Sequence, residues 1–172
     1  MNQIISQEQI RQTATRLAQE ISAYYDDRLA EVIALVVLEG ARPFADALLE
    51  QLHPEPTTYE IQVSSYQGTQ STGTVQIKNA DAIEVAGKRV LILDDIYDTG
   101  RTIKVLQEVL IERGAAEIRT VVLLEKEREH ETPVTVDFVG LKVPDLFLVG
   151  FGLDYNGRYR ELDYIAELYD TS

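Results

Sequence analysis

Cysteine is absent from this 172-residue chain, so neither a disulfide framework nor a thiolate metal site is open to it. That absence suits a cytoplasmic setting. Basic residues are scarce: 16 Lys and Arg stand against 29 Asp and Glu, for a net charge of −13. Binding DNA or RNA requires clustered Lys and Arg to neutralise phosphates, so nucleic acid is not expected as a partner. A small phosphorylated ligand remains open, because backbone amides and a bound divalent cation can receive phosphate without a basic surface. Long apolar runs are missing too. The longest, Val32 to Leu38, is far too short to cross a bilayer, and Met1 to Ser6 lacks the basic start and apolar stretch of a signal peptide. No membrane role is expected.

What is present is the composition of a globular domain, 45% hydrophobic and 26% charged, long enough for one sizeable core. Ser6, with Gln9 as its capping-box partner, starts a helix whose apolar face is Ile10, Leu17, Ile21 and Tyr24. Val32 to Leu38 reads as a strand buried on both faces and broken by Glu39-Gly40. Pro43 fits the first turn of a second helix with Phe44, Ala47, Leu48 and Leu52 inward. Thr58 to Ser65 reads as a strand, Tyr66 to Gly73 as a polar, mobile loop, and Thr74 to Lys78 as a short strand. After a strand at Val90 to Leu93, a helix over Thr102 to Arg113 ends at Gly114, and Ile118 to Leu124 is another buried strand. A strand near Val136 to Leu141, an apolar run at Phe147 to Val149 and a Tyr-rich segment from Asp154 to Tyr169 follow.

Such alternation predicts an α/β fold, a parallel sheet flanked by helices, whose ligands bind beyond the C-terminal ends of the strands. No repeat or linker divides the chain, so residues 1–172 form a single domain. Asp94 and Asp95 fall at the binding edge, on opposite sides of a strand end, and repel each other unless a cation or hydroxyl donors hold them. Vicinal sugar hydroxyls with Mg²⁺ would do so. Next, Thr99-Gly100-Arg101-Thr102 opens a helix, with free amides, close backbone approach at Gly100 and two threonine hydroxyls, which suits a phosphate monoester. Asp98 beside that cup is electrostatically unwelcome unless it serves as a general base or merely caps the helix. His53 and His130 lie in polar connections with no metal spacing between them.

Joined in the string Val90 to Thr102, these pieces resemble the diphosphate-sugar signature of type I phosphoribosyltransferases. The resemblance implies transfer of a 5-phosphoribosyl group from phosphoribosyl diphosphate to a nitrogen nucleophile. It also implies a small hood beside the core, the core taking about residues 28–133 and the hood about 1–27 and 134–172. By that resemblance Asp94 and Asp95 hold the ribose hydroxyls and Mg²⁺, Asp98 handles the nucleobase proton, and Asp98 to Thr102 wrap the 5′-phosphate.

The tail, Val136 to Asp145 followed by Phe147 to Asn156 and Gly157 to Leu162, looks like the hypoxanthine-guanine branch. That likeness implies a purine base, hypoxanthine or guanine with xanthine as a further candidate, stacked on Phe147 and read by the Leu148 backbone. It places Asp154 near the base, Mg²⁺ and diphosphate, Arg160 and the Glu39-Gly40 turn on the diphosphate, and Ser65-Tyr66 in a loop covering the reacting centre. Members are usually dimers or tetramers, so a homodimer or homotetramer is implied.

Two positions depart from the pattern. Many relatives carry a lysine two residues before the acid at Asp137, donating to the 6-oxo group, and here Thr135 stands there. A lost charged donor is worth about 1.5–3 kcal/mol of hydrogen bonding, so the base identity is open. Glu39 replaces a common Lys or Arg in a turn that acts through its backbone. Transfer to a different or modified base, and a non-catalytic sensor of phosphoribosyl diphosphate or nucleotides, are the alternative readings.

Overall fold

The computed structural model describes residues 1–65, 75–78 and 82–169. In chain order the strands are β1 (Asn2–Ile5), β2 (Val32–Leu38), β3 (Thr57–Ser65), β4 (Val75–Lys78), β5 (Arg89–Tyr97), β6 (Glu117–Lys126), β7 (Phe138–Val143), β8 (Leu148–Val149) and β9 (Ile165–Glu167). The helices are α1 (Gln7–Tyr25), α2 (Arg42–Leu49) and α3 (Arg101–Glu112), and a 3-10 turn covers Asp26–Glu31. Strands β4-β3-β2-β5-β6-β7 lie in that order in one sheet. All but β4 run parallel, and β4 joins antiparallel at the β3 edge.

Both faces of this sheet are covered, which is why its inner strands are unbroken apolar runs rather than alternating ones. Ala34 and Val36 of β2, with Leu91 and Leu93 of β5, pack into the core shared with α1 and α2. Their neighbours Ile33, Leu35, Val90 and Ile92 pack on the other side against Leu106 and Leu110 of α3. Among the described residues no helix is long and apolar enough to cross a membrane.

The capping box that begins α1 is formed: the Gln9 amide donates to the Ser6 hydroxyl at 3.1 Å, and the Ser6 amide donates to the Gln9 side chain at 2.8 Å. Ile10, Leu17 and Ile21 are buried, but the apolar face ends on Tyr25 rather than Tyr24. A step of four from Ile21 continues the helical stripe as well as a step of three does. Tyr24 is instead at the rim, its hydroxyl donating to Glu117 at 2.8 Å and its ring beneath the Arg119 guanidinium. On α2, Ala45 and Leu49 are buried beside Phe44 and Leu48, whereas Ala47 is half-buried.

A second, three-stranded antiparallel sheet, β1-β9-β8, forms the hood. This hood is smaller than the predicted segments of about 1–27 and 134–172. Helix α1 lies in the main core, and β7 is the outer strand of the main sheet. A long amphipathic helix needs a broad apolar surface, and three short strands do not offer one.

Chain direction across the sheet reverses between β2 and β5: β2 leads outward to β3, whereas β5 leads the other way to β6 and β7. The crevice at such a reversal is where α/β sheets bind ligands. The β2–α2 turn and the acids of β5 meet there.

The Tyr25 hydroxyl is buried with no hydrogen-bond partner among the described residues. Burial, followed by the Glu117 carboxylate, pushes its ionisation far above the usual phenol range. Its contribution to stability is full below the unfolded phenol value of about 10 and drains as pH rises above it, by up to about 1.4 kcal/mol per pH unit. Tyr25→Phe is expected to be as stable as the parent at neutral pH, or up to about 2 kcal/mol more stable. Its urea midpoint should fall less steeply above about pH 10; an equally steep fall in both proteins would refute this.

Candidate active site

Strand alternation carries Asp94 and Asp95 to opposite faces of β5 at its C-terminal end, where both still line one cleft. Each is pinned by a neighbouring amide: Asp95 N–H donates to Asp94 Oδ1 at 2.8 Å, and Ile96 N–H donates to Asp95 Oδ1 at 2.7 Å. Burial, and then the charge of Asp95, hold the Asp94 carboxyl well above the usual carboxylate range. Burial raises Asp95 as well, opposed by its hydrogen bonds to Asp94 and Ile96 and by Arg160. Two neighbouring carboxylates so placed ionise together more readily when a cation or further donors reach them. Across from it, a Cβ on Gly40 would stand 2.2 Å from Asp95 Oδ2, so only glycine lets the β2–α2 turn come so close.

Beyond β5 the chain bends at Asp98-Thr99-Gly100 and enters α3. Gly100 sits at the N-cap with φ 90°, and no side chain caps the helix. The first amides of a helix have no intrahelical acceptor, so here they are available to an anion. Thr99 steadies the bend: its hydroxyl accepts from the Arg101 amide at 3.3 Å, and its carbonyl accepts from the Thr132 amide at 2.8 Å. The Arg101 side chain leaves the site and pairs with Glu131 at 2.7 and 2.8 Å.

These parts line a cleft of about 350 Å³. Glu39 and Gly40 of the β2–α2 turn, Asp94 and Asp95 of β5, and Asp98, Thr99, Gly100 and Thr102 of the bend all line it. Asp154 and Arg160 reach in from the segment between β8 and β9. Asp154 is both turn former and cleft acid. Its Oδ2 accepts from the Gly157 amide at 2.9 Å, and its Oδ1 lies 3.3 Å from Arg160 Nη2. The Arg160 Nε–H is buried and has no hydrogen-bond partner among the described residues.

Among the described residues five acids and one guanidinium line the space, a charge balance that a divalent cation arriving with a phosphorylated ligand would offset. Yet among the described residues no three His, Asp or Glu side chains converge on a metal position. Asp94, Asp95 and Asp154, the acids assigned to Mg²⁺, all line the cleft. Mg²⁺ ordinarily keeps waters and phosphate oxygens and takes only one or two carboxylates, so the acids still suit it.

Of the predicted base-binding residues Asp154 lines this cleft, whereas Phe147, Leu148 and Thr135 lie outside its lining. Phe147 is 45% exposed and meets Tyr155 edge-on at 5.5 Å, so it is a free aromatic face and not core. Its carbonyl accepts from the Leu168 amide at 2.9 Å. Alternation along β8 therefore turns the Leu148 amide and carbonyl to the outer edge of the hood sheet, while the Leu148 side chain is buried. Ser65 ends β3 with its backbone in register with Val75. Tyr66 and the rest of the predicted covering loop lie outside the described residues.

Thr135 does not belong with them. Gln107 donates to both the Thr135 carbonyl (3.1 Å) and the Thr120 hydroxyl (3.2 Å). Thr120 lies roughly 20 Å before Lys126 along β6, at about 3.3 Å per residue, and hence far below the binding edge. A cationic donor does stand at that edge, and the sequence reading missed it. Lys126, only 12% exposed, ends β6 with its ammonium 3.1 Å from Asp98 Oδ2. The signal was a lysine at the C-terminal end of the strand next to β5, hidden because the predicted strand stopped at Leu124. Arg128 and His130 were missed as well: Arg128 Nη1 lies 3.2 Å from Asp98 Oδ1, and the His130 ring stacks on Tyr97 at 3.7 Å.

Residues 1–156 match the model of the phosphoribosyl transferase domain, and the chain belongs to the phosphoribosyltransferase family. Over 166 residues it is 39% identical to a hypoxanthine-guanine phosphoribosyltransferase of Bacillus subtilis, covering 96% of this chain and 91% of that protein. It superposes on a crystal structure of hypoxanthine phosphoribosyltransferase from Staphylococcus aureus with a TM-score of 0.90 and 32% identity, over 98% of this chain and 91% of that one. A Trypanosoma cruzi hypoxanthine phosphoribosyltransferase, solved as a ternary substrates complex, superposes with a TM-score of 0.90 at 31% identity, over 98% of this chain and 95% of that one. Within the family the chain is of this hypoxanthine-guanine type.

A Cβ at Gly100 would lie 2.0 Å from the Thr132 carbonyl oxygen, at a φ that side chains rarely adopt. Gly100→Ala is therefore expected to cost about 2–4 kcal/mol in chemical denaturation. A loss below about 0.5 kcal/mol would show that the bend relaxes freely.

Proposed function

We propose that this chain is a purine-salvage enzyme that transfers the 5-phosphoribosyl group of phosphoribosyl diphosphate to hypoxanthine or guanine. The observation that carries this reading is one cleft holding an amide-rich helix start, the Asp94–Asp95 pair and the Gly40 turn, with Phe147 and Lys126 beyond it. The 5′-phosphate sits on the amides and hydroxyls of Thr99 to Thr102, the Arg101 side chain taking no part. Asp94 and Asp95 accept hydrogen bonds from the ribose hydroxyls. The backbone of the Glu39-Gly40 turn and the free Nε–H of Arg160 receive the diphosphate.

Asp94, Asp95 and Asp154 are the groups that would hold Mg²⁺ together with ligand oxygens, and the ion supplies charge neutralisation for the departing diphosphate. The purine stacks on the exposed Phe147 ring, and its edge pairs with the Leu148 backbone. Lys126 donates to the 6-oxo group, the task first sought at Thr135. Asp98, beside Lys126, accepts the proton from the purine imidazole as the bond to the sugar carbon forms and the bond to diphosphate breaks. With a cationic donor in place, the argument for a different or modified base loses its motive. The cytoplasm and a homodimer or homotetramer fit this role, and sedimentation of the purified protein measures the assembly.

Asp98→Asn should lower turnover about 10²–10⁴-fold while nucleotide still binds; unchanged turnover removes Asp98 from the proton transfer. A panel of nucleobases, read by diphosphate release with and without Mg²⁺, tests the whole assignment. Product from 6-oxopurines only, and only with the metal, is expected. Binding of phosphoribosyl diphosphate without product from any base would make the protein a sensor instead.

A further inference from the structure

Arg128 has no task in this scheme, yet it closes a ring of four alternating charges. Lys126 Nζ lies 3.1 Å from Asp98 Oδ2 and 3.6 Å from Asp145 Oδ1. Arg128 Nη1 lies 3.2 Å from Asp98 Oδ1 and 3.8 Å from Asp145 Oδ2. Each cation therefore touches both acids. We infer that Arg128 is a positioning residue, which holds Asp98 and Asp145 when Lys126 leaves them for the purine. The inference rests on the function proposed above.

Lys126 is the most enclosed member of the ring, 12% exposed against 35% for Arg128. An ammonium has three donors, and as Lys126 turns to a purine oxygen it loosens its hold on at least one carboxylate. With no second cation, two neighbouring acids would then face each other unpaired, a costly arrangement near an enclosed site. The Arg128 guanidinium, with five donors on a rigid plane, keeps both acids paired and in place through that exchange. Asp145 stands two positions before Phe147, so the ring also joins the proton acceptor to the chain segment that presents the aromatic face.

A simpler role competes. The segment that follows β6 also braces the phosphate bend: His130 Nδ1 meets the Asp98 carbonyl, Glu131 pairs with Arg101, and the Thr132 amide donates to the Thr99 carbonyl. Were Arg128 only part of that brace, its loss would weaken binding of phosphoribosyl diphosphate. As a relay partner for Lys126, its loss weakens binding of the base.

Steady-state kinetics of Arg128→Gln separate the two. The KM for hypoxanthine is expected to rise about threefold to tenfold, with the KM for phosphoribosyl diphosphate within about twofold of the parent. Arg128→Lys, which keeps a cation, should recover most of the loss. In a Lys126→Gln background the Arg128 substitution should add less than about twofold to the base KM, because the exchange it assists no longer occurs. A rise confined to the KM for phosphoribosyl diphosphate, or fully additive penalties, overturns the inference. Should the glutamine variant fail to fold, Arg128→Met keeps the stem and gives the same reading. The parent enzyme is assayed in parallel: no product from any 6-oxopurine means that the proposed function itself fails, whereas an active parent with an unchanged base KM in Arg128→Gln sinks only this inference.

Discussion

The C-terminal end of β5 holds Asp94 buried and Asp95 half-buried beside it, and the geometry of the cleft follows from that placement. Two acids so close resist ionising together. They are tolerable because adjacent amides satisfy some of their lone pairs, and because a cation-bearing, hydroxyl-rich ligand can supply the rest. Even the glycine of the β2–α2 turn answers to them, since no other residue leaves room for the Asp95 carboxylate. A sheet with both faces covered supplies the rigidity that such a costly arrangement requires.

The two ends of the site handle charge differently. At the helix-start end, neutral amides are open to an anion, and Arg160 is the one cation lining the cleft among the described residues. Amides are fixed by the helix and cost no side-chain ordering. At the purine end, Lys126 and Arg128 are balanced against Asp98 and Asp145, so charge is present but already matched. The very acidic composition is compatible with a phosphorylated substrate for this reason: recognition depends on local donors and not on the overall sign.

Strands buried on both faces announce themselves as apolar runs, so β2, β5 and β6 could be read from the chain, and the Val90 to Thr102 string located the phosphate bend and the acid pair. What escaped depends on partners distant in sequence. Strand β6 runs on to Lys126 because Glu125 and Lys126 pair with Lys142 and Val143, and nothing local marks that extension. A charged stretch after Leu124 reads as solvated loop until its neighbour strand is known. Arg101 faces outward because Glu131 lies across from it. Thr135 was placed at the purine by motif alignment alone, and only its link to Gln107 reveals that it lies well down β6. The hood, too, unites segments from opposite ends of the chain, and no local pattern foretells that pairing.

That pairing ties the aromatic ring at the purine end to remote backbone. Phe147 is fastened through its carbonyl to Leu168, just past β9, and β9 in turn is flanked by Asn2–Ile5. Terminal strands fray more readily than interior ones. Loosening of the first few residues would thus travel through one intervening strand to the exposed Phe147 ring. Under the proposed function, selectivity for the incoming base is then partly held by a segment that never touches it, and a bulky fusion ahead of Asn2 would be felt at that ring before it disturbed the Gly100 bend.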